Sequence, residues 1–258
     1  LTAGMWARRL AKIDPVEAWQ LADKEAGLAA FVLHRAHRDY YGRLGWEGAL
    51  GARLGEEASL QFVAGSETWR AVSARRPFTL FRDSDPSREN PGMDVGQIDL
   101  ASVRLRVDTR ERARSPWIGG WYLSADFERG SGTLVRDPGP SLILNAPEAV
   151  TYTRGFLDAR RYNKLSPGTE VNMRLLLGGW LGGDELPLQM RSSIGGPGAV
   201  EGYDFRRATR DPVDVFTCGG IDTWPGRAAL CDRVAMAQLE VRQEFELDWF
   251  RTDRGDTW

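Results

Sequence analysis

The sequence predicts an all-β protein, part of an antiparallel up-and-down transmembrane β-barrel, and three observations support this fold class. Apolar and polar residues alternate with a period of two in several segments, as in strands with one apolar face. The links between these segments alternate between short and long, as in a membrane barrel with turns on one side and loops on the other. The 258 residues include 29 glycines and 10 tryptophans, and no apolar run reaches the ~18 residues of a membrane helix.

Residues 1–39 are predicted to form a loop and a short helix. The first twelve residues are cationic and amphipathic. Asp14 is a suitable helix N-cap, Pro15 fits the first turn, and the residues from there to Leu33 are rich in Ala, Glu, Lys and Leu. This segment therefore stands outside the strands that follow.

Residues 40–185 are predicted to hold six strands. Short turns are predicted at 55–57, 116–120 and 166–168, and long links at 75–96 and 130–149. The apolar positions of the predicted strands are Leu44, Trp46, Leu50, Ala52 and Leu54; Leu60, Phe62 and Ala64; Ala101, Val103, Leu105 and Val107; Trp121, Leu123, Ala125 and Phe127; the run Tyr152–Tyr162; and Val171, Met173, Leu175 and Leu177. The opposite face, with Arg104, Arg106, Asp126, Glu128 and Arg174, is predicted to line a wet lumen.

A long loop over residues 186–235 precedes further strands, predicted over 236–258. Its glycines Gly195, Gly196 and Gly198 surround a proline, which predicts a tight loop in a crowded place. An ordinary surface turn is an alternative. A phosphate cradle is a weaker one, because the spacing differs from a dinucleotide fingerprint and no Gly-Lys-Ser/Thr follows. Glu240 and Arg242 lie two apart, so a strand presents both on the same face.

This loop and the strands after it resemble the barrel domain of the BamA/TamA family of bacterial outer-membrane assembly proteins, also called the surface-antigen family. In that family a Gly-Gly loop with a Val-Arg-Gly-Tyr/Phe tip folds into the lumen, facing a Glu-x-Arg strand and an aspartate on the next. The matching residues are Val200, Gly202 and Tyr203 in the tip, Glu240 and Arg242 on the first strand, and Asp253, Gly255 and Trp258 on the second. Glu201 stands where the family has arginine, and Arg206 or Arg207 is the candidate to replace it.

The resemblance implies a chain that runs from about the sixth strand to the start of the thirteenth of about sixteen. It implies a lumenal latch made of Gly195, Gly196, Gly198, Val200, Glu201, Gly202, Tyr203 and Arg206, docked on Glu240, Arg242 and Asp253. It also implies an outer-membrane location, with membrane lipids, client outer-membrane or secreted proteins and accessory lipoproteins as partners. We expect this chain alone not to form a stable pore, because half a barrel leaves two open edges in lipid.

Several kinds of chemistry are not predicted. A net charge of -2 gives no support for nucleic-acid binding. His34 and His37 lack an accompanying carboxylate cluster, so we predict neither a metal site nor a cofactor. Cys218 and Cys231 both lie in the long loop and are predicted to form a disulfide, with free thiols as the alternative.

Two other classes of protein remain alternatives. The first is the membrane-anchoring barrel of a patatin-like phospholipase, although the chain has no Gly-x-Ser-x-Gly nucleophile elbow and we predict no enzyme activity. The second is a soluble carbohydrate-binding β domain, for which the ten tryptophans are suited. Tryptophans at strand ends are also typical of the aromatic girdle of a membrane barrel.

Overall fold

The computed structural model describes residues 2–15, 31–32, 39–72, 90, 92–110, 119–137, 145–166, 168–192 and 231–243. These residues form one antiparallel sheet in which each strand pairs with the next along the chain. The strands are β1 (Thr2–Pro15), β2 (Tyr40–Leu54), β3 (Ala58–Ala71), β4 (Val95–Asp108), β5 (Gly120–Val135), β6 (Glu148–Ser166), β7 (Thr169–Gly183) and β8 (Arg233–Gln243). The all-β, up-and-down prediction is confirmed, and the sheet is open between β1 and β8.

The strand β1 differs from the sequence prediction, which assigned residues 1–39 to a loop and a helix. Asp14 and Pro15, predicted as the start of a helix, are the last two residues of this strand. Asp14 accepts a hydrogen bond from Arg43 Nη1 at 2.6 Å and pairs with Lys12 Nζ at 2.9 Å. Cationic residues interrupt the apolar alternation of this strand, which explains why the pattern was missed. The helix predicted up to Leu33 lies outside the described part of the chain, except for residues 31–32, which are helical.

The link predicted over residues 130–149 is also shorter than expected, because β5 continues to Val135. Gly130 and Gly132 lie inside this strand and do not form a turn. A Cβ atom at Gly130 would stand 2.5 Å from the Tyr152 ring, and one at Gly132 would stand 2.1 Å from the Gln97 carbonyl oxygen. These glycines are therefore required by close packing between neighbouring strands.

The strand pairing gives the sheet two chemically different faces. We call the first the polar face; its members include Arg8, Glu47, Glu67, Arg104, Glu128, Asp158, Arg174 and Glu240. We call the second the apolar face; its members include Met5, Trp46, Phe62, Val103, Phe127, Leu157, Leu175 and Leu239. The alternation predicted for the strands is thus present in the sheet.

The sheet also has two different ends. Residues 55–57, 109–119 and 167–168 connect strands at the short-turn end. Residues 16–39, 72–94, 136–147 and 184–232 connect them at the long-loop end. The strand β1 adds one more long link, but the short turn predicted at 116–120 is instead a link over 109–119, one residue shorter than the link over 136–147.

The sheet curves toward its polar face. On a flat sheet with strands ~4.8 Å apart, Arg43 of β2 and Arg154 of β6 would lie roughly 19 Å apart. Both instead line one cavity of about 90 Å³. At the long-loop end, five strands contribute to a buried apolar cluster, whose members include Tyr41, Trp69, Ile98, Leu134 and Tyr152, with Leu186 and Met190 from the long loop. This end of the polar face is therefore packed with buried apolar side chains.

Candidate functional site

The residues predicted to form the latch are divided between described and undescribed parts of the chain. Glu240 and Arg242 lie on the polar face of β8, where Arg242 Nε donates to Glu240 Oε1 at 2.9 Å. Both side chains are more than half exposed, and they lie opposite Asn172 and Glu170 of β7. The rest of the predicted latch falls outside the described residues, namely Gly195, Gly196, Gly198, Val200, Glu201, Gly202, Tyr203, Arg206 and Asp253.

The base of the long loop is described, and it folds onto the polar face. Residues 184–192 follow β7, and within them Leu188–Met190 forms a single 3-10 turn. Leu186 and Met190 are buried against the apolar cluster. Met190 also lines the 90 Å³ cavity beside Arg43 and Arg154. The first residues of the loop therefore cover the long-loop end of the polar face.

Asp94, which immediately precedes β4, fixes this base. Its side chain is almost fully buried. Its Oδ2 atom accepts hydrogen bonds from Leu188 N and from Arg136 Nη1, both at 3.0 Å. Its Oδ1 atom accepts from Asp137 N at 2.9 Å. The main chain of Asp94 also pairs twice with the buried Gln189 amide, at 3.2 and 3.0 Å.

Arg136 holds the same segment from the link between β5 and β6. Its guanidinium donates to the carbonyl oxygens of Glu185 at 2.8 Å and Leu186 at 3.2 Å, and to Glu148 Oε1 at 2.6 Å. The pKa of this guanidinium is raised: burial by itself would lower it, but the Glu148 and Asp94 carboxylates more than offset that effect. Arg136 is therefore a permanent cation between two carboxylates and two carbonyl groups.

The long loop is closed where it leaves and rejoins the sheet. Ser192 and Cys231 form an antiparallel bridge, with N–O distances of 2.9 and 2.6 Å. Arg191 Nε lies 3.3 Å from Asp232 Oδ1 and donates to the Leu186 carbonyl oxygen at 3.1 Å. Cys231 is disulfide-bonded. Cys218, its predicted partner, lies outside the described part, so the predicted pairing stays a prediction.

Beside the apolar cluster, the polar face carries a network of largely buried ion pairs. Arg43 bridges three strands, because its guanidinium contacts Glu67 of β3, Asp14 of β1 and Glu47 of its own strand. Its Nε donates to Glu67 Oε2 at 2.6 Å, and Trp69 Nε1 donates to the same oxygen at 3.1 Å. Buried charges are tolerated only when they are paired and hydrogen-bonded in this way.

A second network continues across β5, β6 and β7. Glu128 accepts from Arg154 Nε at 2.8 Å and from the Tyr152 hydroxyl at 3.1 Å. Asp158 accepts hydrogen bonds from Arg160 and Arg174, the closest being 2.6 and 2.8 Å. These pairs, within β6 and across to β5 and β7, line the polar face with alternating charges. In the described residues no group of His, Cys, Asp and Glu has an arrangement that holds a metal ion.

The apolar face is exposed. Large apolar side chains project from it with roughly half or more of their surface accessible, among them Met5, Trp46, Leu50, Phe62, Phe127, Leu175 and Leu239. Within the described ranges, no helix is long and apolar enough to cross a membrane.

Sequence reasoning missed the base of the long loop. The sequence pattern gave no role to Asp94, Arg136 or Gln189. Asp94 and Gln189 lie 95 residues apart in the chain and meet only through the fold. The chain matches no family model, no curated protein and no solved structure.

Proposed function

We propose that this chain forms part of a bacterial outer-membrane β-barrel of the protein assembly or translocation type, which inserts or translocates proteins at that membrane. The two-faced curved sheet carries the proposal. Its apolar face exposes large side chains such as Trp46 and Phe62, whereas its polar face holds buried ion pairs such as Arg43–Glu67. Water-soluble monomers rarely expose apolar patches of more than a few hundred Å². This distribution suits a membrane barrel, in which the apolar face contacts lipid and the polar face lines the interior.

The assembly type is supported by the course of the long loop. Its base packs onto the polar face through Leu186 and Met190. The strand that follows presents Glu240 and Arg242 on that same face. Both features support the lumenal latch that the resemblance to the BamA/TamA family implies, whose tip residues lie outside the described part of the chain. In our proposal the latch stabilises the barrel and gates it.

The proposed mechanism needs neither a cofactor nor covalent chemistry. A weak seam between the first and last strands of the complete barrel opens, and a strand of the client protein pairs with the exposed edge. Backbone N–H and C=O groups supply the attraction, so the barrel accepts clients of different sequence. Outer-membrane lipids and accessory lipoproteins are the other expected partners.

Detergent phase partitioning tests the membrane location. We expect the parent protein to enter the detergent phase, because its apolar face is too large to remain in water. Recovery from the aqueous phase would instead favour the soluble carbohydrate-binding β domain. Membrane fractionation of bacterial cells provides the matching measurement in vivo.

Two substitutions in the parent protein test the latch. We expect Gly202→Asp and Arg242→Ala to lower the amount of correctly assembled outer-membrane proteins, measured by heat-modifiable mobility on gels. Arg70→Ala is the matched control, since Arg70 is exposed on the opposite face of the sheet. Wild-type assembly in both latch variants would contradict the proposed role of the loop.

A further inference from the structure

A trough crosses the apolar face of β1 to β5, with a volume of about 810 Å³. Its floor is a row of small residues that pair with one another across neighbouring strands: Ala7, Gly48, Ala64 and Ala101. The next row toward the short-turn end consists of larger residues: Met5, Leu50, Phe62, Val103 and Phe127. The side chains of the floor have at most one methyl group each, so the floor is lower than the neighbouring row of larger side chains. This difference in height forms the trough.

Arg129 lies at the β5 end of the trough. It pairs in register with Ala101 and lines the trough. Its side chain is exposed, and within the described part of the chain it forms neither an ion pair nor a hydrogen bond. Asp99, one row further toward the long-loop end, makes no ion pair with it among these residues. Among the described residues, the trough thus has an apolar lining and one cation, Arg129, at its mouth.

The face changes character beyond Arg129. Thr153 pairs in register with Arg129, and one row further toward the long-loop end the same face carries Ser131 and Thr151, whose hydroxyls lie 3.1 Å apart. Toward the short-turn end, β5 carries Phe127 and then Ala125. Arg129 therefore marks the boundary between the apolar and polar parts of the face, at the level where a lipid headgroup meets its acyl chains.

We infer that this trough is a binding site for a single membrane lipid with an anionic phosphate headgroup. One acyl chain lies along Ala101, Ala64 and Gly48, and the phosphate contacts the Arg129 guanidinium. A guanidinium matches the geometry of two phosphate oxygens. The inference rests on the proposed membrane location of the apolar face. A single charge at one end of an apolar trough complements a lipid, which has one anionic end, better than it complements a protein segment.

The test compares two lipids on the protein purified in neutral detergent micelles. Native mass spectrometry measures retention of phosphatidylglycerol and of phosphatidylcholine with the same acyl chains. We expect the anionic lipid to be retained preferentially. Arg129→Gln should weaken its retention about fivefold, the effect of one arginine on an anionic lipid. Arg70→Gln removes another exposed cation from the same face and should leave retention unchanged.

A second variant tests the contribution of the acyl chain separately from that of the headgroup. Ala64→Phe fills the floor of the trough and keeps Arg129, so we expect it to abolish the retention of both lipids. Unfolding followed by circular dichroism checks that each variant remains folded.

Two results would overturn the lipid site alone: equal retention of the two lipids by the wild-type protein in micelles, or equal losses in Arg129→Gln and Arg70→Gln. A protein that stays out of micelles altogether would overturn the membrane location, and the lipid site with it.

Discussion

The two ends of the polar face have the same alternating sequence pattern but different environments. At the long-loop end, Trp69 and Tyr152 are buried and Asp94 is held by several hydrogen bonds. At the short-turn end, Arg104 and Asp126 are separated by 3.4 Å, and each side chain is more than a third exposed. The difference arises because residues 184–192 cover one end and no described segment covers the other. Burial on this face therefore depends on a loop and not on the strands alone.

This comparison also separates stability from function. The packed end holds the base of the long loop in one position through Asp94 and Arg136. The open end carries the exposed pair Glu240–Arg242, to which the resemblance assigns a docking role. We therefore expect substitutions at the packed end to unfold the protein, and substitutions at the open end to change its activity. The predictions below test this division, beginning with the largest effect.

Trp69→Ala should have the largest effect on stability. The Trp69 ring packs edge-to-face on Tyr41 at a centroid distance of 5.9 Å, and its indole N–H donates to Glu67. Truncation of a buried tryptophan costs about 3 to 5 kcal/mol. Tyr122→Ala is the comparison at the open end, where the ring stacks with Arg110 and Arg160, and should cost about 1 kcal/mol. Guanidinium unfolding in micelles measures both, and equal losses would remove the distinction between the two ends.

Asp94→Asn and Asp126→Asn make the same chemical change at the two ends. At Asp94 the change leaves a half-buried Arg136 and a backbone N–H with a weaker acceptor, which should cost about 2 to 3 kcal/mol. At Asp126 the solvent-screened pair with Arg104 should contribute less than about 1 kcal/mol. Trypsin gives a second readout, because release of the loop base should speed cleavage after Arg191 in Asp94→Asn only. Unchanged cleavage in that variant would show that Asp94 does not hold the loop.

The strands were largely predictable because alternation is a local signal. Leu60, Phe62 and Ala64 alternate with polar residues without interruption, and β3 lies where that pattern placed it. In β1, Arg9 falls at an outward position and interrupts the pattern, while the helix-forming residues after Pro15 favoured a different assignment. In β5, Gly130 and Gly132 were interpreted as a link because the sequence does not reveal that Tyr152 and the backbone at Gln97 lie against them.

The candidate site was much less predictable than the strands. The spacing of Glu240 and Arg242 predicted that they share one face of a strand, and β8 presents both on the polar face. The base of the long loop depends on Asp94, Arg136 and Gln189, which come from three separate links of the chain. Hydrogen bonds between such distant residues produce no periodic pattern in the sequence. They can be identified only in the folded structure.

Gly132→Ala should have an intermediate effect at the packed end. A Cβ atom there would stand 2.1 Å from the Gln97 carbonyl oxygen, so β4 and β5 must move apart. Overpacking of this kind costs about 1 to 3 kcal/mol. Gly4→Ala in β1 is the control, because no described atom beyond the two chain neighbours lies within 4 Å of the added methyl group, and it should leave stability unchanged or slightly raised. Comparable losses in the two variants would mean that backbone freedom, and not close packing, requires glycine at residue 132.

Arg242→Ala should have the smallest effect on stability and still affect function. The Arg242–Glu240 pair is more than half exposed on both sides, and such pairs contribute about 0 to 1 kcal/mol. The unfolding midpoint should therefore stay close to that of the wild type, whereas assembly of client proteins should fall if the pair is the surface on which the loop docks. Glu240→Gln removes the partner charge and should give the same combination. A large loss of stability in either variant would show that the pair belongs to the structural core. It would contradict the division between a packed, stabilising end and an open, functional end.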